Sequence, residues 1–282
     1  MPIPVTRFAP SPTGYLHLGH AYAAMVARDL AHTAGGHFLL RFEDIDHNRV
    51  RPEYHTAAEE DLRWLGLEWD GPAIRQSERA AAYAAALEHL REEAVVYPCF
   101  CTRREIEEEI TRMVSAPHGP EGALYPGLCR ELPAGEASRR MAAGDHPAWR
   151  LDANRALELT GPLTFTDLRH GILAVDPGLL GDVVLARKDI GTSYHLAVVV
   201  DDAFQGVTHV TRGEDLLPST HVHRVLQALL GLAEPRYLHH RLVTDCQGVR
   251  LAKRHDALSI RSLRESGLPP AEVLADLEAR MR

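Results

Sequence analysis

Two hydrophobic rhythms run along the chain, one at strand spacing and one at helix spacing. The stretch opening at Arg7 and Phe8 is short and apolar enough for a strand. A turn rich in Pro and Gly follows (Pro10, Pro12, Gly14), then an Ala-rich helical pattern that stops at Gly35-Gly36. His37–Phe42 reads as a second strand and ends in three acids, Glu43, Asp44 and Asp46. Helical spacing returns over Pro52–Leu65, with Trp64 and Leu65 on the apolar face and Gly66 as the stop. A third helix begins at Ser77, with Ala81, Ala84, Ala85, Leu87 and Leu90 at helical intervals.

Between about Val95 and Leu185 the character changes. Thr102-Arg103-Arg104-Glu105 is a capping box that opens a charged helix running through Arg112. A Pro/Gly stretch and Tyr125–Cys129 follow, then short strand-like pieces at Ala148–Asp152 and Leu163–Phe165. The pattern predicts a subdomain inserted into a parallel sheet. The second half of that sheet resumes at Asp182–Arg187. A long apolar strand is expected over His195–Val200, since a sheet covered on both faces needs continuous apolar strands. Thr208–Thr211 leads into the polar cluster Arg212-Gly213-Glu214-Asp215, Thr220–Leu230 reads as a helix, and short helices follow Ser259. The expected architecture is α/β: residues 1–94 and 186–245 form the two halves of one domain, 95–185 the insertion, and 246–282 a loop and helical tail.

At 282 residues the chain is long enough for one large α/β domain with an insertion. No apolar run approaches a membrane span and no targeting pattern precedes Arg7, so a cytoplasmic protein is expected. A formal net charge of −8 argues against tight nonspecific binding of a polyanion and fits a brief RNA contact. Of the 4 cysteines, Cys99, Cys101 and Cys129 cluster while Cys246 stands apart. In a reducing compartment that clustering favours metal over disulfide.

A strand feeding a turn feeding a helix aims unpaired backbone N–H groups at one spot, which suits phosphate. His17 and His20 flank Gly19 at the first turn of that helix. There they could stabilise charge building on a phosphate. An ordinary helix start with two solvent-facing histidines is equally compatible with the spacing. Arg7 and Arg212 sit at strand ends, where an open sheet binds ligands. Arginine's planar fork suits carboxylate, and Glu43 could receive an ammonium. The three clustered thiols are one ligand short of a closed zinc site. Tyr125, His118 or water is left for the fourth position, with reduced structural cysteines as the alternative.

His17-Leu18-Gly19-His20 after Ala9–Gly14 resembles the HIGH signature of the class I aminoacyl-tRNA synthetases. The lead-in Arg7–Gly14 resembles their glutamate-activating branch. Arg41–Asp46, Cys99–Cys129, Tyr194–Asp202, Arg212–Asp215 and Arg250–Arg254 agree with it in the expected order. The last resembles the mobile KMSKS loop, with Ala252 in place of its serine. The resemblance implies a Rossmann-like catalytic core, an inserted zinc-binding α+β subdomain, a short helical tail and no anticodon-binding domain.

It also implies ATP-dependent activation of L-glutamate, with Mg²⁺ accompanying the ATP. Arg7, Phe8, Ala9, Pro10, Ser11, Glu43, Tyr194 and Arg212 would form the glutamate pocket. His17, Gly19, His20 and Lys253 would meet ATP, with His17, His20 and Lys253 catalytic. Cys99, Cys101, Tyr125 and Cys129 would hold one structural zinc ion. The early stop after Lys253 points to the truncated branch, whose members transfer glutamate to the queuosine base of tRNA(Asp). A monomer is expected. Two other readings stay open: a small glutamyl-tRNA synthetase charging a 3′ end, and a noncatalytic tRNA-binding paralogue.

Overall fold

The computed structural model describes residues 3–113, 118–119, 122–133, 135–179, 181–243 and 259–280. The chain opens with β1 (Val5–Phe8), α1 (Leu18–His32) and β2 (His37–Phe42), and the two strands pair in parallel with Val5 opposite His37. Helix α1 buries Ala21, Ala24, Ala27 and Ala31, whose small side chains let it lie close to the sheet. At its exit Gly35 takes a φ of 65°. Gly36 has no room for a side chain, because a Cβ there would lie 2.0 Å from the Pro4 carbonyl oxygen. Phe38, Leu40 and Phe42 are fully buried on β2, each worth roughly 1.5–3 kcal/mol.

Helix α2 (Pro52–Trp64) starts with proline at its first turn, as the spacing predicts. Strand β3 (Ile74–Arg75) adds in parallel to β2, and a 3-10 turn over Gln76–Arg79 leads into α3 (Ala80–Glu92). The buried residues of α3 are Tyr83 and Leu90, whereas Ala81, Ala84 and Ala85 face solvent. Alanine is compatible with either face of a helix, so the large residues decide which one turns inward.

The insertion contains β4 (Val96–Cys99), α4 (Arg103–Arg112), the short pair β5 (His118–Gly119) and β6 (Gly122–Ala123), α5 (Glu136–Ala142), β7 (Ala148–Leu151) and α6 (Ala153–Thr160). The capping box at Thr102 and Glu105 is formed. Strands β8 (Thr164–Asp167), β9 (Gly171–Ala174) and β10 (Val184–Ala186) depart from the expected partition. Strand β10 pairs antiparallel with β7, which pairs antiparallel with β4, so Asp182–Arg187 closes the insertion's own sheet.

The last part holds α7 (Tyr194–Phe204), β11 (His209–Gly213), a 3-10 turn over Glu214–Leu216, α8 (Leu217–Leu229), β12 (Arg236–His240), α9 (Ile260–Glu265) and α10 (Pro270–Arg280). Strands β11, β12 and β8 run parallel, with β9 antiparallel at the edge. Strand β8 thus joins the second catalytic half. The segment Thr208 N–H to Val5 O, at 2.9 Å, brings β11 beside β1 and the two parallel ladders together.

The apolar run His195–Val200 is helix and not strand. Leu196, Ala197, Val198 and Val199 are all buried, as are Asp201 and Asp202 at its end. A helix covered on several sides shows the same unbroken apolar run as a buried strand, so periodicity alone does not separate them. Helices α9 and α10 return Ile260, Val273 and Leu277 to the core that holds Leu16 and Leu18. Among the described residues no helix is long and apolar enough to cross a membrane.

Candidate active site

A cavity of about 520 Å³ opens where the two halves meet the insertion, lined among others by Ser11, Glu43, Asp46, Arg187, Tyr194 and His195. Three residues expected to bind glutamate therefore share its wall: Ser11 from the turn after β1, Glu43 after β2, and Tyr194 at the start of α7. The Glu43 N–H donates to the Pro10 carbonyl at 3.0 Å, which fixes the acid against the Ala9–Ser11 turn. The Phe8 side chain packs into the core instead.

Behind the wall lies a cluster of buried charges. Asp202 accepts from Arg7 Nε at 2.8 Å and from Arg41 Nη1 at 2.7 Å. A second Arg7 nitrogen, Nη1, donates to the Thr211 carbonyl at 3.2 Å. Arg41 Nη2 also lies 3.6 Å from Glu43 Oε1. The Glu43 side chain is 13% exposed, and that exposure opens onto the cavity. Its pKa is raised, first by burial, against the opposing pull of Arg41 and Arg7. The Asp202 carboxyl is held below its usual range: burial pushes it up, but Arg7 and Arg41 outweigh that.

Arg212 differs from Arg7. It too is buried, at 6% exposure. Among the described residues its hydrogen-bond partners are all neutral acceptors: Tyr194 Oη at 3.2 Å, His223 Nδ1 at 3.0 Å, His239 Nε2 at 3.2 Å, and Thr220 Oγ1. Among the described residues, the three buried guanidinium groups Arg7, Arg41 and Arg212 thus have two carboxylates at ion-pair distance, Asp202 and Glu43, and neither is paired with Arg212. A ligand with one ammonium and two carboxylates would balance that set.

Three parts of this cluster escaped the sequence reading. Arg41 stands between Leu40 and Phe42 on an apolar strand, a position that demands a buried counter-charge. Asp202 supplies it from α7, and was out of reach while that run read as strand. Ser193 lines the cavity with a buried hydroxyl that has no partner among the described residues.

At the start of α1 the two histidines cap their own helix. His17 Nδ1 accepts from the Gly19 N–H at 3.1 Å, and the His17 N–H donates to His20 Nδ1 at 3.2 Å. Their rings lie 3.8 Å apart, and a Cβ at Gly19 would sit 3.0 Å from His17 Cε1. The flat group that needs glycine here is the protein's own imidazole. Neither histidine lines the cavity. Lys253 and its loop lie outside the described residues, but Ser259 just beyond them bridges to His17 and the Ile260 N–H donates to Leu16 O at 2.8 Å.

The sulfur atoms of Cys99, Cys101 and Cys129 all lie within 4.8 Å of one another. Tyr125 Oη is 3.3 Å from Cys99 Sγ and 3.5 Å from Cys101 Sγ, and it accepts from the Cys129 N–H at 2.9 Å. Zinc–thiolate bonds of about 2.3 Å in a tetrahedron put sulfurs roughly 3.8 Å apart, so this donor set is compatible with zinc. Burial raises the Cys99 thiol, but Tyr125 and Arg150 outweigh it and bring it below its usual value. Burial pushes Cys101 up to about 12.

The sequence profile described as tRNA synthetases class I (E and Q), catalytic domain, matches residues 4–281. The chain belongs to the class I tRNA synthetases. It is similar to the Glutamyl-Q tRNA(Asp) synthetase of Rhodobacter capsulatus, at 49% identity over 95% of this chain and 98% of that protein. Glutamate–tRNA ligase 2 of Nitrosococcus oceani is 42% identical over 98% of this chain but only 58% of its own length. A crystal structure of a glutamate tRNA ligase from Elizabethkingia meningosepticum, in complex with its amino acid, superposes with a TM-score of 0.76 at 30% identity. It is covered over 89% of this chain, which spans about half (52%) of that one. The resemblance read from the motifs is borne out: this synthetase is an enzyme of the ligase type with the class I catalytic fold.

Proposed function

We propose that the enzyme activates L-glutamate with ATP and transfers it to the queuosine base at the wobble position of tRNA(Asp). The observation that carries the glutamate reading is the unpaired guanidinium: Arg212 is a buried cation with neutral partners, bound to the Tyr194 hydroxyl, which also feels the charge of Glu43. Glu43 receives the α-ammonium, and Arg212 meets a carboxylate through its fork. Ser11 lines the near side, and Ala9 and Pro10 precede it in the turn whose Pro10 carbonyl holds the Glu43 N–H. Arg7, whose three nitrogens are held by Asp202 and the Thr211 carbonyl, adds its positive charge from behind the wall.

In the first step a glutamate carboxylate oxygen attacks the α-phosphorus of ATP, and pyrophosphate leaves; Mg²⁺ bound with the ATP would offset the charge of the phosphates. No protein nucleophile is needed, because positioning and charge stabilisation carry such chemistry. His17 and His20 stabilise the developing charge at the start of α1, Gly19 lets the His17 ring lie flat there, and Lys253 meets the triphosphate. In the second step a hydroxyl of the modified base attacks the adenylate carbonyl. An ester forms, AMP leaves, and the hydroxyl proton passes to solvent. Cys99, Cys101, Cys129 and Tyr125 would hold a structural zinc ion, which would supply rigidity to the insertion. The queuosine step is supported by relatives bearing that name at 45–49% identity.

The test is labelled glutamate with ATP and either queuosine-containing or unmodified tRNA(Asp), followed by nuclease mapping of the label. Label on the anticodon nucleoside of the modified tRNA alone is expected. Label on the 3′-terminal adenosine would replace this reading with a 3′-charging glutamyl-tRNA synthetase. The absence of glutamate-dependent pyrophosphate exchange would remove both.

A further inference from the structure

A guanidinium can only donate hydrogen bonds, so every neighbour of Arg212 must offer it a lone pair. Two of those neighbours are histidines, which offer one only in the right tautomer. His239 Nδ1 lies 2.7 Å from Asp167 Oδ2, and both side chains have 0% exposure. Asp167 also accepts from the backbone N–H groups of Arg169, His170 and His239 at 2.8, 2.9 and 3.1 Å. An ionised carboxylate accepts and never donates, so the ring proton of His239 sits on Nδ1. Its Nε2 lone pair then faces Arg212 Nε.

On the other side His223 Nδ1 accepts from Arg212 Nη1, which leaves the ring proton of His223 on Nε2. That proton points at His195 Nδ1, 3.1 Å away. The tautomers follow from the network of donors and acceptors. Burial, then the charge of Arg212, pushes His239 and His195 down to about 4, and His223 is lowered well below the usual imidazole value for the same reasons. Burial raises Asp167, but His239 and the backbone donors outweigh it and keep it ionised.

We propose that Asp167, His239 and His223 are positioning residues: they cradle the Arg212 fork in neutral lone pairs, which aims it without cancelling its charge and leaves that charge to a ligand carboxylate. A carboxylate in place of either histidine would aim the fork equally well but neutralise it. Asp167 instead sets the tautomer from one ring away. The inference rests on Arg212 facing a substrate carboxylate, as proposed above.

Asp167→Asn tests it directly. The backbone donors of Arg169 and His170 keep the amide oxygen, so the new NH₂ faces His239 Nδ1. The ring must then carry its proton on Nε2, against the Arg212 N–H. In glutamate-dependent pyrophosphate exchange, KM for glutamate is expected to rise roughly tenfold or more, from a buried donor facing a donor, with KM for ATP unchanged. His239→Leu should do the same. His239→Gln, whose amide oxygen reaches the place of Nε2, should restore much of the affinity.

Independently of any variant's folding, ¹⁵N ring shifts of the wild-type protein should show His239 as the Nδ1–H tautomer and His223 as the Nε2–H tautomer. The opposite tautomer at His239, or a glutamate KM within threefold of wild type in both Asp167→Asn and His239→Leu, overturns the cradle. Arg212→Gln run alongside separates the two levels. An unchanged glutamate KM there overturns the pocket reading itself, whereas a raised one beside an unaffected Asp167→Asn removes only the cradle.

Discussion

Replacing Asp202 with Asn should unfold the protein at markedly lower temperature while changing almost no volume. One carboxylate serves two buried cations: its Oδ1 accepts from both Arg7 Nε and Arg41 Nη1, and Oδ2 lies 3.4 Å from Arg7 Nη2. Side-chain exposure is 5% for Arg7, 0% for Arg41 and 9% for Asp202, so water compensates none of the three. Asparagine keeps one acceptor oxygen. Its NH₂ then points at a guanidinium donor; Arg41 keeps Glu43 at 3.6 Å, the charge of Asp201 and the Gln205 amide oxygen, and Arg7 keeps the Thr211 carbonyl, so neither retains a close, fully hydrogen-bonded carboxylate among the described residues. Removing one partner of a buried ion pair costs about 3–5 kcal/mol. At roughly 2–4 °C per kcal/mol for a chain near this size, that is a fall in Tm of about 6–20 °C.

Thermal unfolding by circular dichroism near neutral pH measures this, with urea unfolding to check that the slope is unchanged. A Tm within about 2 °C of the parent would refute the reasoning, since the measured loss would then be under about 1 kcal/mol. The pH dependence carries a sign. The folded pKa of Asp202 is depressed, so its stabilisation is complete above the ordinary carboxylate value of about 3.9. It is lost as pH falls through the lower folded value, and the gap between parent and variant should close only below about pH 4.

Glu43→Gln should abolish glutamate-dependent exchange yet fold at least as stably as the parent, because burial raises the pKa of the acid it replaces. For the same reason glutamate KM in the parent should climb as pH falls through that raised value, above the model-peptide 4.3; a flat pH profile counts against the ammonium site. Cys129→Ser should lose bound zinc by elemental analysis and make the insertion more susceptible to proteolysis, with exchange largely retained; unchanged zinc content would break the assignment. Gly19→Ala should lower kcat for exchange with little effect on glutamate KM, because its Cβ would press on the His17 ring at 3.0 Å; an unaltered kcat would show that the placement of His17 does not matter to the chemistry.

How much of this was legible depended on whether the information was local. The turn from β1 into α1, the arginine ending each strand and the capping box at Thr102 are written in neighbouring residues, and each forms as read. Cys101 and Tyr125 come together across 24 residues because thiol clustering survives any loop length. Pairing partners were not legible. Strands β8 and β10 are short, and nothing in four residues says whether the neighbour is β12 or β7. The largest miss was α7. Reading it as strand hid Asp202, and with it the reason that Arg41 is tolerated on β2. The histidine chain was hidden differently, since His195, His223 and His239 are spread over 45 positions and signal nothing one at a time.

Buried charges are a poor means of stabilising a fold, because well-packed apolar residues of similar volume do as well or better. A cluster kept only for stability would at least match its signs. This one does not: Arg7 and Arg41 share Asp202, Glu43 is strained upward by burial, and Arg212 is surrounded by oxygen and nitrogen lone pairs with no carboxylate among them. Mismatch of this kind is what a site looks like when the missing charges arrive with the ligand. It also divides labour between two arginines that look equivalent in the sequence. Arg7 crosses from β1 to α7 and ties the halves of the fold together, while Arg212 is held by groups that take nothing from its charge. On the proposed reading, loss of Arg7 should therefore register first in stability, and loss of Arg212 first in glutamate affinity.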